Sequence, residues 1–289
     1  MSDFNHKVAI KLREIASLLE DQHANPFRVR AYMNAAVTID TLAEDVRHVV
    51  TEKGIKGLIE LPAIGPGIAR SIHDYVVIGR MSRLENLRGE SDPVSLFQSI
   101  PTVGRQMAQR IHDTLHVDTF ESLENAVVDG RLDQVPGLGN KRKDAIDAWL
   151  SKHLGEHRQQ LRTTQHTDHD PTVDLLLQID TQYRTEAEAG HLPHIAPKRF
   201  NPENKAWLPI LHTTHDHWHF TALYSNTARA HQLGHTADWV VIYFYGDHHL
   251  EGQHTVVTET HGSLQGSRVV RGREKECLQH YEIAGSERS

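Results

Sequence analysis

The stretch Leu58 to Gly79, LIELPAIGPGIARSIHDYVVIG, leaves the backbone few choices. Leu58, Ile59 and Leu61 form an apolar patch that Pro62 closes, because proline lacks a backbone donor and restrains the residue before it. Gly65 and Gly67 bracket a loop where positive φ or close backbone approach is expected. Ile68, Ala69, Ile72, Tyr75 and Val76 then recur at helical spacing. The pattern predicts helix, tight hairpin, helix. Such a corner presents bare backbone N–H groups and the positive end of the second helix at one point, which makes an anion site.

The corner recurs. LFQSIPTVGRQMAQRIHDTL (96–115) keeps Gly104, Met107, Ala108 and Ile111, but has Thr102 where a first loop glycine is expected. LDQVPGLGNKRKDAIDAWL (132–150) has both glycines, Gly137 and Gly139. Their near-regular spacing makes them internal copies of one unit. This is the helix-hairpin-helix pattern, and its anion site suits a DNA phosphate. Arg105 in the second copy, and Asn140, Lys141 and Arg142 in the third, stand where side chains reach the same phosphate. A hairpin copy can also serve only to join helices, and Thr102 leaves that reading open for the middle one.

A net charge of −7 excludes a protein that coats nucleic acid by bulk electrostatics. It leaves binding through backbone amides and a few placed cations. The length of 289 residues suggests two domains. The single cysteine, Cys277, excludes an internal disulfide and a cysteine-based zinc site, and fits a reducing cytoplasm. The opening MSDFNHKVAIKLREIASLL is charged and amphipathic rather than secretory, and the longest apolar run, Trp239 to Tyr245, is too short to cross a bilayer. A cytoplasmic location without a membrane partner is the expectation.

Periodicity predicts an amphipathic helix over 6–21, a second opened by Asn25 and Pro26, and a short third over 42–52. Thr119 is a cap for the helix before the third hairpin. Residues 151–170 are polar, His-rich and aperiodic, the signature of a linker. Pro171 opens another helix and Gly190 closes it. Short β-branched and aromatic segments follow, AWLPILHTT, HDHWHFTALYS, DWVVIYFYG, QHTVVTETHG and SRVVRG, before a last helix from about Glu274 to Tyr281. The expected class is α+β, with an all-α helix-hairpin-helix N-terminal half and a small antiparallel sheet with flanking helices in the C-terminal half. The expected domains are 1–90, 91–153 and 171–289, with 154–170 as the linker.

The C-terminal half offers three polar constellations. In HTTHDHWHF, His215, His217 and His219 share one face of a strand. Same-face neighbours stand about 7 Å apart, awkward for one zinc ion, so a surface face is favoured. In FTALYSNTARAH (220–231) an apolar strand runs into Ser225 and Asn226, and a short helix presents Thr227, Arg229 and His231. That turn is either an anion pocket or a capped turn. Glu259, Arg268, Arg271, Arg273 and Glu274 meet if their strands pair as a hairpin, either to hold phosphate or as a ladder of ion pairs. The candidate catalytic group is Asn226, Arg229, His231, Glu259 and Arg271. In it His231 is the base, Glu259 its orienter, and Arg229 or Arg271 the anion holder.

Residues 5 to about 153 resemble the N-terminal region of family X DNA polymerases, through NPFRVRAYMNAAVTI, LPAIGPGIARSI with the later VIGRMSRLENL, and the two further hairpins. The resemblance implies a compact helical domain that binds gapped or nicked DNA near a 5′ phosphate, with Arg28 and Tyr32 at the phosphate pocket. It implies a second hairpin module and a monovalent cation on the loop carbonyls. Two activities of the family find no residues here. The lyase works through a lysine Schiff base, and that position holds Ser71, while the loop position of a phosphate-binding lysine holds Gly67. Arg70, Arg80 and Arg83 do not replace the amine, because guanidinium stays protonated. The polymerase needs a Gly-Ser and arginine element before an Asp-x-Asp pair that holds metal; GSRVVRG has the wrong spacing and no such pair follows. The leading expectation is a DNA-binding protein of repair or maintenance, without polymerase activity and with no certain cofactor. The rival is a nucleic-acid or phosphate-processing enzyme with its site in 171–289. A protein-interaction scaffold is the third reading.

Overall fold

The computed structural model describes residues 2–154, 170–246 and 251–286; most of the expected linker, residues 155–169, lies outside them. The chain divides into two compact units. One comprises Met1–Ser91 with Pro193–Leu208, and the other Asp92–Leu192 with Pro209–Ser289.

In the first unit, α1 (Asp3–Asp21) packs along α2 (Pro26–Thr41), and α3 (Val46–Ile59), α4 (Pro66–Ile78) and α5 (Ser82–Leu87) complete the layer. Asn25 caps α2 by accepting from Phe27 N–H, with Pro26 in the first turn. The apolar stripe Val8, Leu12, Ile15 and Leu19 meets Ala35, Ala36 and Ile39, and Ile64, Ile68 and Ile72 join the same core. Asn5 is the polar exception. Its amide donates to the carbonyls of Leu42 (3.3 Å) and Glu44 (2.8 Å), and its oxygen accepts Val46 N–H (2.9 Å). A fully paired buried amide of this kind fixes the corner before α3. The third helix, expected over 42–52, runs on to Ile59 through a break at Gly54 (φ 61°, ψ −148°). The segment 193–208 returns to this unit at Gly89, where a Cβ would lie 2.7 Å from Leu208 and 3.0 Å from Ile195. Lys198 N–H donates to Glu90 and Arg199 to the Ser91 carbonyl. This segment holds the two-residue strand β1 (His194–Ile195).

The second unit opens with α6 (Pro93–Phe97), α7 (Arg105–Leu115), α8 (Phe120–Val128), a 3-10 turn over Arg131–Gln134 and α9 (Asn140–Leu154). Thr119 and Ser122 form a reciprocal capping box on α8. Then α10 (Val173–Glu188) leads to an antiparallel meander of β2 (Leu208–His215), β3 (Trp218–Tyr224), β4 (Val240–Gly246), β5 (Glu251–Thr258) and β6 (Arg268–Val270). Two short helices flank it, α11 (Ala228–Leu233) and α12 (Glu274–Ser286). The molecule is α+β.

Long-range polar bonds hold the sheet. Tyr183 on α10 donates its hydroxyl to the Pro209 carbonyl (3.0 Å) and accepts Tyr224 N–H (2.8 Å). Arg268 binds Asp180 through Nε (2.9 Å) and Nη2 (2.6 Å), and Asp238 through Nη1 (2.6 Å). Gln253 on β5 accepts Asp118 N–H (3.1 Å), tying the sheet to the start of α8.

Two expectations change. Asp216 (φ 52°) and His217 form the turn between β2 and β3, so His215, His217 and His219 do not share a strand face. His219 instead stacks on Tyr245 with centroids 4.6 Å apart. In the first hairpin neither Gly65 (φ −78°) nor Gly67 takes positive φ; Ala63 (φ 61°) does. Gly65 caps α4, and Gly67 lies inside it.

Candidate nucleic-acid interface

The three corners superpose in register once the left-handed residue is taken as the marker. Ala63 (φ 61°), Thr102 (φ 73°) and Gly137 (φ 75°) each follow a proline. Each is followed by a buried apolar residue, Ile64, Val103 or Leu138, and then by glycine. The same turn closes all three: Ile64 N–H to the Leu61 carbonyl (3.3 Å), Val103 to Ile100 (3.1 Å) and Leu138 to Val135 (3.3 Å). Ile72, Ile111 and Ile146 are the matching buried residues two turns on.

The glycine after each turn sets the chemistry. Gly65 (φ −78°, ψ 168°) and Gly104 (φ −79°, ψ 170°) have the same extended conformation, which any residue adopts. Gly139 is likewise not left-handed. A Cβ on any of the three would meet nothing within 4 Å. Neither strain nor packing in the protein therefore requires glycine there, and a bare backbone leaves room for an outside group. The helical ladder starts at Ala69 N–H to Gly65 (2.9 Å), Ala108 to Gly104 (2.9 Å) and Arg142 to Gly139 (2.9 Å). Amides ahead of these bonds project from the helix ends. Pro66 removes one such donor from the first corner.

Arg105, Asn140, Lys141 and Arg142 are exposed in the first turns of α7 and α9. Arg28 is half-buried on α2, and the Tyr32 ring sits in the core of the first unit at 5 % exposure. Ser71 is buried and donates its hydroxyl to the Gly67 carbonyl (3.1 Å). Loop carbonyls are partly taken: Pro62 accepts from Thr38 (2.9 Å) and Pro136 from the Arg110 guanidinium (3.3 Å). A fixed positive charge on the third loop suits a resident monovalent cation poorly.

In the C-terminal half four of the five candidate catalytic residues form two close pairs. His231 Nε2 lies 2.6 Å from Asn226 Oδ1, and Arg271 Nη1 donates to Glu259 (2.7 Å). Glu259 is half-buried; its partial burial opposes ionisation, but the Thr260 amide and Arg271 hold its carboxyl below the ordinary range. Arg229 is half-buried and donates to Gln232 (3.5 Å). Thr227 caps α11, and Ser225, Asn226 and Thr227 are buried. The Cys277 thiol is buried, pushed up by that burial, and accepts Val270 N–H (3.4 Å). Sequence reasoning missed His116, Arg131 and Asn125, which line a cavity together with Arg271. No local pattern marks them, because their meeting depends on the tertiary fold. No helix among the described residues is long and apolar enough to cross a membrane.

Residues 3–81 match the helix-hairpin-helix domain family, and residues 94–146 match the SAM-like helix-hairpin-helix tandem family. The chain is 27 % identical over 136 residues to the DNA polymerase/3'-5' exonuclease PolX of Bacillus subtilis (strain 168), covering 47 % of this chain and 23 % of that protein. It thus spans about a quarter of the length of this relative. The N-terminal half is a helix-hairpin-helix region that resembles the one found in family X polymerases.

Proposed function

We propose that this protein holds DNA by its backbone through the hairpin corners, in repair or maintenance, and does not polymerise. The observation that carries the reading is the set of cap glycines, Gly65, Gly104 and Gly139, whose missing side chains are explained by nothing inside the protein. A phosphate brought against them meets outward amides and the positive helix end. Arg105, Lys141 and Arg142 add charge at the second and third corners. Gapped or nicked duplex is the proposed substrate, since its bent backbone can reach more than one corner. Arg268, within the segment that faintly echoes a polymerase element, is turned inward onto Asp180 and Asp238, which favours a non-polymerase role.

The test is Gly139→Val, where a Cβ meets nothing in the protein and φ is ordinary. Affinity for gapped duplex should fall by about tenfold or more, as expected for lost charge-assisted amide contacts, while thermal unfolding stays within a few degrees. Unchanged affinity in a folded variant overturns the assignment.

A further inference from the structure

A cavity of about 800 Å³ lies wholly within the second unit. The end of α7, helix α8 and the turn at Arg131 form one wall; β5 and the segment after β6 form the other. A volume of this size accommodates a ligand as large as a nucleotide. Its lining is charged, but most of the charge is already spoken for. Arg273 engages Asp170 and Glu276, and His254 engages Asp170 (2.9 Å). Glu274 accepts Gly272 N–H (3.0 Å).

What remains unsatisfied is mainly donor capacity on two arginines. Arg271 gives Nη1 to Glu259, yet its Nε is buried without a hydrogen bond. Arg131 Nε is likewise buried without a hydrogen bond, although its guanidinium forms an ion pair with Asp129 at 3.5 Å. Asn125 Oδ1 is a buried acceptor in the same state. Leaving such groups unpaired is unfavourable, because each has lost its water without gaining a partner. The Arg131 guanidinium also lies close to Gly272 (φ 84°), where a Cβ would sit 2.8 Å from its Nη1. The glycine therefore lets a guanidinium reach this wall. His116 completes the group, with its ring edge-on to Trp239 at 5.5 Å.

We propose that this cavity binds a phosphate ester of about nucleotide size, with Arg131 and Arg271 on the phosphate and Asn125 accepting from the organic part. Guanidinium is the side chain best matched to a phosphate's paired oxygens. The ester supplies acceptors for both orphaned N–H groups, and a base or sugar supplies the donor that Asn125 lacks. Leu115, Val117 and Val128 provide apolar lining for that part. The source is either a free nucleotide or the phosphorylated end of a DNA strand.

His116 reports the event. Burial, then the positive charge of Arg271 and neighbouring His112, hold its pKa down to about 4, while Asp118 and Asp113 oppose them. A bound phosphate offsets Arg271 and should raise it. The experiment is an NMR titration of the full chain, following the His116 ring, with deoxyadenosine monophosphate, deoxyadenosine, succinate, and duplex DNA with or without a 5′ phosphate on its end. Expected is an upward shift of the His116 pKa by about one unit or more with the monophosphate or the phosphorylated end. The nucleoside and succinate should bind at least about tenfold more weakly. Whichever of the two phosphate sources acts identifies the physiological one. Arg131→Gln should weaken monophosphate binding by about tenfold, with thermal unfolding run alongside, while gapped-duplex affinity, which depends on Gly139, stays. An unmoved His116 ring with every phosphate overturns the proposal even if the variant fails to fold. So does equal binding of nucleoside or succinate.

Discussion

Arg268 shows how far one side chain can be committed to architecture. Asp180, one of its partners, is fully buried, and the Val256 and Asp238 carbonyls accept from the same guanidinium at 3.1 and 2.9 Å. Removing one member of a buried charge set strands the other, at a cost of about 3–5 kcal/mol. Arg268→Met should therefore lower the unfolding free energy in urea by that amount, and a loss below about 1 kcal/mol would contradict the network's role. Ser71 carries the opposite kind of prediction. Its hydroxyl is tied to the Gly67 carbonyl and cannot form an imine. Borohydride treatment with a 5′ deoxyribose phosphate substrate should trap almost no covalent product; efficient trapping mapped to residues 66–78 would show an amine doing work not assigned to it.

At the level of the element, the corners reveal a strain that the proline-apolar-glycine spelling hides. Ala63 and Thr102 sit in the left-handed region that Gly137 occupies freely, and a β-branched residue there is an outlier. Thr102→Gly should stabilise the protein by about 1 kcal/mol, the left-handed penalty less the added freedom of the unfolded chain, read as a rise in midpoint by thermal unfolding. A fall would mean the threonine makes a compensating contact. The corners were legible because a proline, a buried apolar residue and a glycine sit at fixed offsets before a helical stripe. Their frame was not, because Gly67 imitates a loop glycine while the residue that turns the chain is an alanine. The strands were legible from β-branched and aromatic runs. The break between the first two of them was legible to within a residue or two, but the turn falls on Asp216 and His217, inside the expected second segment, since nothing near His217 spells a glycine turn. Of the cavity, Arg271, Arg273 and Glu274 stood out in the sequence as charges after the last strand; Arg131, in a 3-10 turn, and His116, just past the end of α7, carry no pattern that points to a site.

For the whole molecule, two histidines near one helix end set a pH preference in opposite senses. Burial works against a charged His112, but Asp118 overrides it and raises the pKa above the ordinary 6.5. Its stabilisation is complete below that value and is lost as pH rises through the raised one. His116, held near 4, favours folding above about 6.5, and up to about 3 kcal/mol is lost as pH falls toward 4. Asp170 adds to the acid limb: burial opposes its charge, but His254 and Arg273 keep its carboxyl below the ordinary range. Stability should peak near pH 6.5, measured by urea unfolding across pH, and His116→Asn, which tolerates the left-handed φ of 52°, should flatten the acid side. An unaltered acid side would remove His116 from this account. A different consequence follows from the stretch that packs on Gly89. During synthesis residues 1–91 are made about five seconds or more before residues 193–208, at 5–20 residues per second. In that interval the pocket at Gly89 lacks Ile195 and Leu208, and the nascent first unit waits as an unsealed intermediate while the intervening chain is still emerging.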